Sequence, residues 1–500
     1  MAKILLINPI IRQNDKPAHV PFGLAQLAAI CIREGHGVQV FDANAWRPTE
    51  AVIVEALRAD DWDVVAIGGL ITSYGFIKKT LNLAAVVCPR ALIVAGGGFL
   101  TPIPFEVMTY LPEIDIGVIG EGYGTLPEIL AAVDGRSSRW ADIPGIIFRD
   151  GDGLLSLTAE RSLLGDVDTL PFPAWDLFPL PIYFRNSSLL LSEEAMTSRR
   201  RLGMIASYGC PYKCKYCFHL GLSGELSVVD GPDGQRELHM TSRRRVRCHS
   251  PGYVVDMIAD AKKRFGIDFV SFLDENFSIL GKREKWFDEF RTLWIREGLQ
   301  PKCIRERKPH EETDCRGIHW GTTAHPANVD AGMLRSFKEL GCTYLDYGLE
   351  SFSDDILGSI AKGATAAMNE RAVIETMRAG IRPIPNQIIG FPEESFASIR
   401  CNIAAWEKLG IRSYPFFATP YPGSEWYYTF RERILSQYEG DLEAFLLELG
   451  DATSITAVIS NEFNAVELLG LRELMVGKDL RRINEYERYK KNIMKSGLLT

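Results

Sequence analysis

Short apolar runs alternate with amphipathic stretches from residue 1 to about 135. The runs are "KILLIN", "GVQVFD", "DVVAIGG", "ALIVAGG" and "IDIGVIG". Each is too short for a helix, and its apolar positions are nearly continuous, the mark of a strand buried on both faces. Between them lie "GLAQLAAICIREG", "PTEAVIVEALRAD", "GFIKKTLNLAAVVCP", "PFEVMTYLP" and "LPEILAAVDG". There the apolar residues recur at three and four, which predicts helices. Five strand–helix units in succession predict a doubly wound parallel sheet over 1–138.

The pattern changes between 139 and 200. "IPGIIFRDGDGLLSLT" reads as a hairpin turning at Asp150–Gly153, and "TLPFPAWDLFPLPIYF" as an extended connector rich in Pro and aromatics. A second alternation runs over 201–425. Its strand candidates are "RLGMIASYG", "DFVSFLDEN", "GIHWGTTA", "TYLDYGLES", "PIPNQIIGF" and "RSYPFFATP", separated by amphipathic helices. About six such units predict an incomplete (β/α)6 barrel of the TIM type, whose active site lies at the C-terminal strand ends. Residues 426–500 read as a helical tail that packs over the barrel mouth. The expected class is therefore α/β, with a Rossmann-like sheet, a partial barrel and a helical C-terminal region.

Composition narrows the possibilities. The formal net charge is −8, a poor balance for a general nucleic-acid binder, which needs a basic surface for phosphates. No stretch approaches the length of a membrane span, and the N-terminal run lacks the features of a secretory signal. The cytoplasm is the expected compartment. Of ten cysteines, Cys31, Cys88, Cys248, Cys342 and Cys401 stand singly and read as buried small hydrophobes. Cys303 and Cys315, with His310 between them, fit no short chelate and read as a surface loop. The basic clusters "SRRRLG" and "TSRRRVRCHS" read as solvated loops, the second in an insertion at 219–250.

Cys210, Cys214 and Cys217 are different. They crowd into "YGCPYKCKYCFHL", directly after the first barrel strand. One alternative is a zinc site completed by His219 or Cys248, since structural zinc takes four ligands. The other is an iron–sulfur cubane, where three thiolates leave one iron open to another ligand.

C-x-x-x-C-x-x-C after the first barrel strand, with an aromatic before the last cysteine, resembles the signature of radical S-adenosylmethionine (SAM) enzymes. The resemblance implies that Cys210, Cys214 and Cys217 hold a 4Fe–4S cluster whose fourth iron chelates SAM. It implies reductive cleavage of SAM to a 5′-deoxyadenosyl radical, with electrons from a flavodoxin- or ferredoxin-type donor. "YGLES" resembles the family's fourth-strand element, which places Glu350 and Ser351 at the polar end of SAM. "NQIIGFPEES" resembles the fifth-strand element. Gln387, Ile388 and Gly390 would pack on the adenine, although Asn386 stands where the family has glycine. Asp274, Glu275 and Asn276 form the polar cluster of the second strand end. Tyr216 and Phe218 flank the last cysteine on the SAM side.

A sheet domain ahead of such a barrel resembles the cobalamin-binding subclass. "PFGLAQLAAICIREGHGVQVFDA" and "GVIGEGYGTLPEIL" carry that likeness, the latter departing at Tyr123 and Gly124. It implies a cobalamin site at the ends of the third, fourth and fifth strands. Gly69, Leu70, Ile71, Thr72 and Ser73 would lie under the corrin. Gly96, Gly97, Gly98, Gly120, Glu121, Gly122 and Thr125 would line the nucleotide tail. The Asp-x-His-x-x-Gly motif is absent, and His19 has the wrong spacing, so no protein histidine is expected on cobalt. The alternative is an empty structural remnant.

The implied reaction is methylation of an unactivated carbon of a small molecule through methylcobalamin. Alternatives are an oxidative cyclisation or rearrangement without methyl transfer, as in the anaerobic magnesium-protoporphyrin monomethyl ester cyclase, or a non-enzymatic iron–sulfur or cobalamin sensor.

Overall fold

The computed structural model describes residues 1–13, 15–137, 139–219, 224–231, 236–301 and 317–496. Cys303, His310 and Cys315 lie outside the described residues. The first sheet comprises β1 (Lys3–Asn8), β2 (Gly37–Asp42), β3 (Val64–Gly68), β4 (Leu92–Gly96), β5 (Ile116–Val118), β6 (Ile146–Arg149) and β7 (Leu155–Leu157). Their spatial order is β2-β1-β3-β4-β5-β6-β7. β1 to β5 pair in parallel, and the β6–β7 hairpin joins the edge antiparallel to β5. Alternate residues serve opposite faces: Ile4 and Leu6 enter one core, Leu5 and Ile7 the other. This period of two explains the continuous apolar runs, because helices cover both sides. The order reverses at β1, which opens a crevice at the C-terminal strand ends.

The chain continues into β8 (Arg201–Met204), β9 (Ser207–Tyr208), the hairpin β10 (Gly224–Asp230) and β11 (Arg236–Arg244), and β12 (Arg247–Cys248). Then come β13 (Phe269–Phe272), β14 (His319–Ala324), β15 (Cys342–Glu350), β16 (Arg382–Ile389) and β17 (Phe416–Phe417). β8 and β13 to β17 make one parallel six-stranded sheet in chain order. Leu202, Met204, Val270, Phe272, Leu345 and Tyr347 face the helical layer. The intervening residues, Gly203, Ser271, Asp346 and Asn386 among them, face the lumen.

Six strands do not close a barrel. Part of the first domain fills the gap beside β8: the Arg201 Nη2 donates to the Ala18 carbonyl at 2.7 Å, and Arg12 pairs with Asp451 at 2.9 Å. The lumen floor is apolar. Phe269 and Tyr344 stack there at 6.1 Å, packed with Ala195.

The tail departs from the sequence expectation. It reaches the barrel rim where Leu468 meets Gly390, but helix Leu442–Glu448 docks on the first domain. Tyr74 Oη and Lys78 Nζ both donate to Glu443, at 2.7 and 2.5 Å. Helix Leu480–Ser496 lies on the outer helix Phe396–Leu409, tied by Arg400 and Glu487. The helical periodicity is visible in the sequence; the surface it meets is not. Among the described residues no helix is long and apolar enough to cross a membrane.

Candidate active site

Asp274 holds the strand that leads into the cysteine loop. Its carboxylate accepts Ala206 N at 3.1 Å, Ser207 N at 2.5 Å and Ser207 Oγ at 2.6 Å. Burial is the largest influence on this group and pushes its pKa up to about 7. With both oxygens engaged, Asp274 aligns the loop from beneath and is not free for a ligand.

The loop then leaves β9 at Gly209, which has φ of 95°. A turn brings Cys217 N to the Cys214 carbonyl at 3.0 Å. Lys215 N donates to Ile360 O, and Trp426 N to Lys215 O, each at 3.1 Å. These clamps fix the triplet between two barrel loops. Asn276 Nδ2 lies 4.0 Å from Cys210 Sγ, and its Oδ1 accepts the Ser278 hydroxyl at 2.7 Å.

Three thiols on one short loop suit a cluster by the chemistry of the donor set. A cubane places each thiolate on a different iron, so its ligands stand apart. The zinc alternative also loses a ligand, because Cys248 Sγ accepts Arg283 Nη1 at 2.9 Å. His219 instead meets Glu275 at 3.4 Å.

Beside the triplet lies a charge that sequence reasoning missed. Lys362 Nζ is 2.8 Å from Glu350 Oε1, and both side chains are under a tenth exposed. Tyr216 Oη donates to the same oxygen at 2.6 Å and lies 3.2 Å from Lys362 Nζ. Burial opposes the Lys362 charge, but Glu350, Cys214 and Cys210 outweigh it, so its pKa is raised. Glu350 sits at φ of 58°, a conformation costly for a non-glycine residue that persists where surroundings fix it. The lysine is held in turn: His325 Nε2 meets its carbonyl at 3.0 Å, and the His325 ring stacks on Tyr212 at 3.6 Å. One sequence signal existed, a single lysine in the small-residue stretch "GSIAKGAT".

Two residues expected at SAM turn to the helical layer instead. Ser351 Oγ donates to Asn402 at 3.1 Å, and Gln387 Oε1 accepts Trp406 Nε1 at 3.0 Å. Both are fully buried. Alternation explains this placement: Ser351 continues the outward face of Tyr347 and Leu349, and Gln387 stands between the lumen-facing Asn386 and Ile388. Ile388 stays half-buried on the lumen side, and Gly390 N donates to Glu394 at 3.2 Å. Phe218 packs on Tyr421 at 4.8 Å, while the three cysteines stay half-buried.

Glycines follow three adjacent strands of the first domain. β3, β4 and β5 are followed by Gly69, Gly97 and Gly120, with φ of 149°, 80° and 74°. A Cβ on Gly97 would lie 3.2 Å from the Gly69 carbonyl, so the β3 and β4 ends approach as only glycine permits. Leu70 remains 42% exposed at the start of the turn Ile71–Ser73, with Thr72 half-buried. Ser73 Oγ and Thr125 Oγ1 are buried without a hydrogen-bond partner. Such orphans call for a polar ligand or water. Gly96 caps, and Gly98 lies within, the turn that follows β4.

Past β5, Gly120 and Glu121 border a cavity of about 240 Å³, closed by Arg161, Leu226 and Leu238. Gly122 begins the helix that carries Thr125. Glu121 itself accepts Leu164 N at 3.0 Å and pairs through both oxygens with Arg247. The Arg247 guanidinium lies 5.5 Å from the Tyr208 ring, two residues before Cys210. The cavity rim and the cysteine loop are thereby joined. Glycine turns after three strands, orphaned hydroxyls and a side cavity of about 240 Å³ suit a ligand whose polar tail enters the first domain.

Two family models match the chain, the B12 binding domain over residues 10–130 and the Radical SAM superfamily over 204–400. An uncharacterized methyltransferase of Pyrococcus horikoshii is 28% identical, covering 87% of this chain and 84% of its own length. The anaerobic magnesium-protoporphyrin IX monomethyl ester cyclase of Cereibacter sphaeroides is 25% identical over 76% of this chain, which spans 55% of that protein. Among solved structures, the radical S-adenosylmethionine methyltransferase TsrM from Kitasatospora setae, with cobalamin and a [4Fe-4S] cluster bound, superposes with a TM-score of 0.64. That likeness, at 19% identity, covers 87% of this chain and 79% of the other.

Proposed function

From a chain that joins a B12-binding domain to a radical SAM domain, and is thus a cobalamin-binding radical SAM enzyme, we propose a methyltransferase acting on an unactivated carbon of a small molecule. When bound, the cluster with SAM would supply a 5′-deoxyadenosyl radical, and cobalamin a methyl carrier. The observation that carries the reading is the joining of two sites. The glycine-ended crevice of the first sheet and the cysteine loop of the second meet through Glu121, Arg247 and Tyr208.

The residues have distinct tasks. Cys210, Cys214 and Cys217 would hold the cluster. Asp274 fixes the backbone before them, and Tyr216 holds the Glu350 carboxylate beside Lys362. An adjacent carboxylate and ammonium suit the amino and carboxyl groups of an amino acid, which SAM presents as a pair of opposite charges. Phe218, Tyr421 and Trp426 give the loop an apolar flank, and a flank that sheds water protects a reactive intermediate. Gly69 to Ser73, Gly96 to Gly98, and Gly120 to Thr125 would hold cobalamin.

The test uses the full chain, reconstituted anaerobically and given SAM labelled in its methyl group, together with a reductant. The reading expects 5′-deoxyadenosine and label on cobalamin. The relative named as a cyclase supports a second reading, radical chemistry without methyl transfer. In that case 5′-deoxyadenosine forms while cobalamin stays unlabelled.

A further inference from the structure

The middle strands of the barrel show where its lumen is open. On their outer face Leu345, Tyr347, Leu349, Gln387 and Ile389 are sealed under the helical layer, each 0% exposed. The alternate residues Thr323, Asp346, Gly348, Asn386 and Ile388 are all half-buried, and Leu273 is 37% exposed. β14, β15 and β16 each have a strand on both sides, so the surface these residues keep faces inward. Pairing sets them in layers. Asp346 stands level with Thr323 and Ile384, and Asn386 with Gly348. Tyr344 of the apolar floor is two residues below Asp346, about 7 Å along the strand.

One acid stands in this open layer. Asp346 Oδ1 accepts from Asn386 Nδ2. Asp346 Oδ2 and Asn386 Oδ1 meet no donor among the described residues, and both keep accessible surface. Burial chiefly pushes the Asp346 pKa up to about 6, with Asn386 opposing and Glu350 adding, and no described cation pairs with it. Lys362 is engaged by Glu350 one layer above. A Cβ on Gly348 would come within 2.6 Å of Glu350 Oε1 and 2.9 Å of Lys362 Nζ. Two acceptors thus face a space walled by the apolar Leu273 and Ile388. A carboxylate partly removed from water gains from a cation that also donates hydrogen bonds. An ammonium can reach both acceptors at once, whereas an anion would meet like charge.

We propose that Asp346 and Asn386 recognise a protonated amino group of the substrate, held in the lumen one layer below the Glu350–Lys362 pair. The substrate is thus an amine whose apolar part lies against Leu273 and Ile388. This rests on the radical SAM reading, in which the lumen admits the substrate.

The test uses the full chain loaded with iron and cobalamin, titrated calorimetrically with n-hexylamine, with hexanoate and with SAM. Hexylammonium is expected to bind saturably, at least about tenfold tighter than hexanoate. Asp346→Asn keeps the shape and loses the charge. It should weaken hexylammonium at least about tenfold and abolish the preference over hexanoate. Asn386→Ala should weaken hexylammonium several-fold. SAM affinity should stay that of the parent in both variants. If neither probe saturates, if hexanoate binds as tightly as hexylammonium, or if Asp346→Asn binds hexylammonium as the parent does, the proposal fails. A SAM affinity that falls in parallel would assign the pair to the SAM site and equally overturn it. Should Asp346→Asn not fold, Asn386→Ala decides, and parental hexylammonium affinity there would overturn the proposal. Iron missing from the parent would count against the radical SAM reading alone, because the comparison of amine with carboxylate does not depend on the cluster.

Discussion

Lys362 and Glu350 form an ion pair with Nζ to Oε1 at 2.8 Å, sealed from solvent beside the cysteine loop. Removing one partner strands the other charge in a dry site, which costs about 3–5 kcal/mol. Lys362→Met is therefore expected to be strongly destabilising. Adding Glu350→Gln to it should recover part of the loss. A denaturant double-mutant cycle measures both; additive losses would mean that the two groups are not coupled.

Asp274 gives a pH signature. Its folded pKa of about 7 lies above the ordinary aspartate value of about 3.9. Between those values the folded chain binds more protons than the unfolded chain, so this group's contribution falls as pH rises across that window. Asp274→Asn carries no such proton. The stability of the parent relative to Asp274→Asn should decline from pH 5 to pH 7.5 in urea titrations. A constant difference would contradict the buried-carboxyl account.

Glu121 and Arg247 tie the first domain to the strand before the cysteines, with side chains 5% and 8% exposed. Arg247→Met leaves Glu121 buried and unpaired, again at about 3–5 kcal/mol. Because the contact spans two domains, calorimetry should show the single melting transition splitting into two. A uniform downward shift would mean that other contacts carry the coupling.

Gly120 separates the two cofactor sites experimentally. A Cβ there meets nothing within 4 Å, yet φ is 74°. Gly120→Ala pays about 1–2 kcal/mol of backbone strain and should still fold. Its methyl would crowd the tail of a bound corrinoid, at about 1–3 kcal/mol, or roughly tenfold or more in affinity. Cobalamin titration should show that loss with iron unchanged.

The architecture was legible because burial on two faces leaves a continuous apolar signature, and β1 to β5 and the barrel strands carry it. The doubly wound sheet with a partial six-stranded barrel is the fold expected from that pattern. Partnerships across long separations were not legible. Nothing near Arg247 indicates Glu121, and nothing near "AKGAT" announces that Lys362 faces Glu350. Ser351 and Gln387 look like strand-end ligands in the sequence. Alternation along the strands already turns them outward, with Ser351 continuing the face of Tyr347 and Leu349, and Gln387 standing between Asn386 and Ile388; the likeness to strand-end motifs outweighed that signal.

The central claim is that one chain holds a cluster at its cysteine loop and cobalamin in its first domain. Iron and cobalt per chain, measured after anaerobic expression with cobalamin supplied, test it most directly. The account predicts about four iron and one cobalt, with iron alone lost when Cys210, Cys214 and Cys217 are changed to Ala. Zinc in place of iron, or no cobalt at saturating cobalamin, would contradict it.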